Sequence, residues 1–140
     1  MKDFTHPKFP TIHIKLLSPE TDITLLETLL ADSPLQATEV FEFIPQGLST
    51  DEKYLYGIFD ETTLVGIIDV IEDYPVKQSA FINEFFIRED LLDSTLSETL
   101  YLALEKTAQE TGITSMEINQ DLTNLPFLET VGFVSHKKNI

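Results

Sequence analysis

The stretch AFINEFFIREDLLDSTLSETLYLALEKTAQETGI, residues 80–113, decides how this chain is read. Its opening is apolar at odd and even positions alike, interrupted only by Asn83 and Glu84. A strand covered on both faces by helices has this pattern. Its second half places Leu96, Leu100, Ala103, Leu104, Thr107 and Ala108 on one helical face, and Gly112 supplies the stop. Between strand and helix lies a turn of the kind that often holds phosphate, because a helix N-terminus presents free N–H groups to an anion. Here residues 88–98 carry one arginine and four acids (Arg88 against Glu89, Asp90, Asp93 and Glu98), a formal charge of −3. Thr95 and Glu98 have the spacing of a capping box, and Asp93 is a rival cap. In either arrangement the protein's own oxygens occupy the donors that a phosphate needs.

Outward from this stretch, TIHIKLL (11–17) alternates as a strand. A helix follows, capped by Ser18 or Asp22 and carrying Ile23, Leu26, Leu29 and Leu30. A second short helix fits between Pro34 and Pro45. KYLYGIFD and TLVGIIDVIED form a hairpin around Asp60 to Thr63. After the long helix come a strand in ITSMEINQ (113–120), a short helix in TNLPFLETV ended by Gly132, and a last strand in FVSHKKN. The order β-α-α-β-β-β-α-β-α-β predicts an α/β (α+β) fold with a mixed central sheet and helices on both faces. Residues 1–10 read as an N-terminal arm and 11–140 as a single domain.

Composition narrows the function. The net charge of −15 repels nucleic acid and anionic lipid and favours a cationic partner. A polyanionic ligand would need a local basic patch, for which Lys77, Arg88, Lys106, Lys137 and Lys138 are the candidates. There is no cysteine, so disulfides and thiolate zinc sites are excluded, which fits a reducing, cytoplasmic setting. His6, His13 and His136 are scattered without ligand spacing, read as surface or edge residues, and no metal site is expected. No apolar run approaches the ~18 residues of a membrane span, and the N-terminus lacks the apolar segment of a signal peptide.

Three pieces in order, LVGIIDVIEDYP (64–75), residues 80–113 and EINQDLTNLPFLETVGF (117–133), resemble the GNAT (GCN5-related) N-acetyltransferase superfamily over roughly residues 11–137. The resemblance implies acetyl-CoA as substrate, with acetyl transfer to a small-molecule or peptide amine. It places the thioester arm along Phe85, Phe86 and Ile87. The diphosphate would lie over Leu92, Asp93, Ser94, Thr95, Leu96 and Ser97, with Asp121 beside it. The family's loop positions fall on Leu92, Thr95 and Ser97, its asparagine on Asp121, and its usual tyrosine acid on Leu128. All five depart from the family pattern, so weak or absent cofactor binding is expected. The resemblance also places the acceptor pocket in residues 32–52.

Glu84 interrupts an apolar strand and is the candidate general base, since burial raises a carboxylate's proton affinity. Asp69, in GIIDVI, is a second carboxylate in an apolar strand that would assist the base or orient substrate. Tyr74 is an alternative acid or pocket residue. Each also has a structural reading: pairing at the sheet rim for Glu84, a hydrogen-bonded core role for Asp69, and turn packing for Tyr74. Three functions remain open: an N-acetyltransferase, a degenerate ligand-binding or interaction module of the same fold, and a homodimer that covers the edge left by a short last strand.

Overall fold

The computed structural model describes residues 1–6, 8–91, 94–122 and 125–140, Ser94 by its backbone alone. Seven strands follow chain order in one sheet: β1 Phe4–Thr5, β2 Ile12–Leu16, β3 Lys53–Asp60, β4 Thr63–Glu72, β5 Ser79–Ile87, β6 Ser115–Ile118 and β7 Lys137–Asn139. Every neighbouring pair is antiparallel except β5 and β6. That parallel pair is joined by α3, Ser94–Glu110, the crossover that parallel strands require. Helices α1, Pro19–Leu29, and α2, Ala37–Glu42, cover the other face.

Two cores result. On the α3 side, Tyr56, Ile58, Ile68, Val70, Ile82 and Phe85 pack against Leu96, Leu100, Tyr101 and Leu104. On the α1–α2 side, Leu55, Phe59, Leu64 and Ile67 meet Leu26, Leu30 and Val40. Full burial of each such side chain contributes about 1.5–3 kcal/mol, so the face of α3 read from spacing is what anchors the helix.

A bulge in β5 positions everything that follows. Asp69 pairs with Glu84 and Val70 with Ile82, leaving Asn83 as the extra residue. The side-chain alternation therefore inverts there. Ala80 and Ile82 before the bulge, and Phe85 and Ile87 after it, all face the α3 core, while Phe86 joins the α1–α2 side. Gly66 lies opposite this outer half of β5, and a Cβ on it would meet the Phe86 carbonyl oxygen at 2.6 Å.

Three expectations need correction. The stretch read as the short helix TNLPFLETV is, from Pro126 to Gly132, a succession of turns, with Val131 N–H donating to Phe127 O (3.0 Å) and Gly132 N–H to Glu129 O (3.1 Å). Thr123 and Asn124 lie outside the described residues. The N-terminal residues are not a free arm: Phe4 and Thr5 pair with Ile14 and His13. His6 is a buried residue, not a surface one. Its Nδ1 accepts the N–H groups of Lys8 (3.0 Å) and Phe9 (3.1 Å), so Nε2 carries the proton and donates to Thr99 Oγ1 on α3. Burial holds His6 below the usual histidine value.

Candidate active site

β6 pairs with β5 only through Ser79–Ile82, and the two strands then part. At the parting point Asn119, just past β6, donates its N–H to Ile82 O (2.9 Å) and its side-chain amide to Asn83 O (3.3 Å). Beyond it opens a cleft of about 1210 Å³. Its β-sheet wall is Glu84, Phe85, Phe86, Ile87 and Arg88, and Ser97, Asn119, Asp121, Leu122 and Leu125 form the opposite wall. Thr24, Leu25, Thr28, Leu29 and the segment from Asp32 to Leu35 close it from the α1 side. Of the stretch expected to form the acceptor pocket, only its first few residues, Asp32 to Leu35, reach the cleft.

The backbone of outer β5 is available to a ligand. Arg88 N–H donates to Val65 O on β4 (2.8 Å), and the Phe86 carbonyl lies against Gly66 of the same strand. By strand alternation the N–H and C=O groups of Phe85 and Ile87 then point the other way, into the cleft. Among the described residues no strand pairs with this edge, so its backbone groups could receive an extended amide-bearing chain. The Phe85 ring itself belongs to the core, against Phe127 at 5.3 Å.

Glu84 and Asp69 are brought together as cross-strand partners. Directly opposed residues share a face and stand close together. Asp69 is completely buried and receives Lys53 Nζ at 2.9 Å on each carboxylate oxygen, with Asn83 Nδ2 at 3.0 Å on Oδ2. Burial pushes the Asp69 carboxyl up, and the charge and hydrogen bond of Lys53, with the Asn83 bond, pull it only part of the way back, so it stays above the usual aspartate value. Glu84 is partly buried and lines the cleft. Burial pushes its carboxyl above the usual glutamate value, and the neighbouring Asp69 charge pushes the same way.

Tyr74 lies elsewhere. Its ring packs edge-on against Phe81 at 5.2 Å, and it does not line the cleft. Leu128 is partly buried against the α3-side core. At the diphosphate end, Leu92 and Asp93 fall outside the described residues. Thr95 sits within the first turn of α3, which begins at Ser94, so the capping-box spacing to Glu98 does not apply. Leu96 turns its side chain into the core, and Ser97 alone of the described α3 residues lines the cleft. Arg88 holds Asp90 through Nε (2.5 Å) and Nη2 (3.0 Å), and Lys138 is paired with Glu105 at 2.5 Å. Two of the five expected basic-patch residues are thus engaged by acids. Glu89 and Asp121 add two further carboxylates to the cleft lining.

Sequence reading missed Lys53, Asn83 as a bulge, and Asn119. Lys53 had one visible signal: it shares strand parity with Leu55, which pairs with Asp69, so a lone lysine is diagonal to a lone aspartate on one face. Among the described residues no group of acidic or histidine side chains could hold a metal, and no helix is long and apolar enough to cross a membrane.

No protein-family profile matches the chain, and no curated protein sequence does. Solved structures do match. The PaiA N-acetyltransferase from Thermoplasma acidophilum, in complex with coenzyme A, is 17% identical with a TM-score of 0.64, over 92% of this chain and 99% of that one. A Bacillus subtilis acetyltransferase in complex with CoA is 22% identical with a TM-score of 0.61, over 88% and 76%. A probable acetyltransferase of the GNAT family from Chromobacterium violaceum is 16% identical with a TM-score of 0.64, over 95% and 77%. With the mixed sheet, the α3 crossover and the parted β5–β6 pair already in place, these likenesses establish that the chain has the GNAT acetyltransferase fold.

Proposed function

We propose that the chain is an acyl-CoA-dependent N-acetyltransferase in which Glu84 is the general base. The observation that carries this reading is a partly buried carboxylate on a bulged strand, facing an open cleft beside strand amides that no described strand pairs. Acetyl-CoA supplies the activated acyl group as a thioester. The Phe85 and Ile87 backbone groups bind and align its amide-bearing arm, and strand N–H groups polarise the carbonyl. Glu84 takes a proton from the incoming ammonium and so generates the nucleophilic amine. The cleft opens to solvent, which can protonate the departing thiolate without a side-chain acid at Leu128. The acceptor is a small or peptidic amine, drawn by the carboxylates of Asp32, Glu84, Glu89 and Asp121 around the cleft. A cytoplasmic setting suits this substrate.

A second reading, a degenerate binding module, is favoured by one observation: the only arginine is tied to Asp90 where a diphosphate would need it. Calorimetry with acetyl-CoA and CoA separates the two. Micromolar binding supports transfer, and undetectable binding rejects it. Glu84→Gln is then expected to lower turnover about 10²–10⁴-fold with cofactor affinity nearly intact; unchanged turnover removes Glu84 as the base. Pairing of a second copy along the short β7 edge is tested by light scattering at tens of micromolar, where a monomeric mass ends that idea.

A further inference from the structure

Asp69 is an aspartate with no solvent exposure, and two donors from different strands meet on it: Lys53 from β3 and Asn83 from the β5 bulge. Lys53 is itself buried, its side chain 7% exposed, with its ammonium 5.8 Å from the Phe43 ring centroid. A buried pair of this kind costs more desolvation than it returns in attraction unless every lone pair is met. Stability alone is therefore a poor reason to have it here. What lies beside it is Glu84, the cross-strand partner of Asp69.

We propose that Lys53 is a positioning residue for Glu84: seated on Asp69, it keeps a carboxylate ionised across the strand pair, and that fixed charge keeps Glu84 ready to accept a proton. Without Lys53, a carboxylate in this dry setting takes up a proton and the charge facing Glu84 disappears. Asn83 holds the second Asp69 oxygen from the bulge, and Asn119 holds the Asn83 carbonyl, so the relay runs from β3 to the mouth of the cleft. The other charged groups lining the cleft with Glu84 are Arg88, Glu89 and Asp121, and Asp32 from the α1 side. None of these stands between Glu84 and Asp69 in the strand pairing.

This deepens the transferase reading and rests on it for its purpose, but its test needs no substrate. The carboxyl carbons of Glu84 and Asp69 are titrated by NMR in the wild type, Lys53→Met, Asp69→Asn, the charge-balanced Lys53→Met/Asp69→Asn pair and Lys53→Arg. In Lys53→Met, Asp69 is expected to stay protonated to higher pH than in the wild type, and the Glu84 midpoint to fall. Asp69→Asn and the double variant are expected to lower the Glu84 midpoint too, while Lys53→Arg keeps it. The double variant serves where a single variant does not fold. A Glu84 midpoint unmoved in the double variant, or an Asp69 that still ionises at its wild-type pH in Lys53→Met, overturns the proposal. If the midpoints move as expected while Glu84→Gln leaves turnover unchanged, the relay stands and the catalytic reading falls.

Discussion

Lys53 Nζ lies 2.9 Å from both carboxylate oxygens of Asp69, with the two side chains 7% and 0% exposed. Removing one partner strands the other charge in the core. Asp69→Ala is expected to cost about 3–5 kcal/mol of stability, whereas replacing both residues by apolar ones of similar volume recovers most of the loss. Urea unfolding of the single and double variants checks this, and equal losses in both would show that packing, not charge, governs the site.

Burial, with the Asp69 charge beside it, raises the Glu84 carboxyl above its ordinary value in the folded chain. Both states are protonated at low pH; as pH rises past the ordinary glutamate value the unfolded chain ionises first and gains. The stability associated with Glu84 is thus complete in acid and lost as pH rises through its folded value. Glu84→Gln is expected to raise the melting temperature at pH 7, with the gain disappearing near pH 4. A melting temperature lowered at both pH values would contradict this assignment.

His6 gives the opposite slope. Its folded value is lowered below 6.5, chiefly by burial, with Lys8 adding to the effect. Its contribution is complete above the unfolded value and is lost as pH falls towards the folded one. Protonation also puts a hydrogen on Nδ1, which now accepts two amides. The protection factors of the Lys8 and Phe9 amides against hydrogen exchange are expected to fall between about pH 7 and 5, and His6→Phe to abolish that pH dependence.

Glu89 and Asp121 line the cleft in which the proposed coenzyme would sit, and both are acidic. A unit-charge pair about 5 Å apart in water costs roughly 0.8 kcal/mol, about fourfold in affinity. Glu89→Gln and Asp121→Asn are each expected to tighten CoA binding by about that factor. Added salt is expected to strengthen binding rather than weaken it, because it screens repulsion. Titration calorimetry at several salt concentrations reads both effects, and affinity that falls with salt would point to an unrecognised basic contact.

Residue order alone determined the main elements and their layers, but not β1 or the turns from Pro126 to Gly132. The two-sided apolar run at 80–87 demanded cover on both faces, and helical spacing from Leu96 to Ala108 supplied one cover. The lone carboxylates Asp69 and Glu84 were conspicuous because charge within apolar strands needs a reason. Pairing was decided only in three dimensions. A bulge at Asn83 changes which face each later residue takes, and no local propensity marks it, because the packing of Phe85 and Ile87 under α3 selects it. The same holds for Lys53, whose charge gains meaning only when β3 lies beside β4, and for His6, whose burial depends on α3 passing over the N-terminal residues. Spacing along the chain records local periodicity; the neighbours that set charge, burial and an open cleft come from distant segments, brought together by the one register that fills both cores.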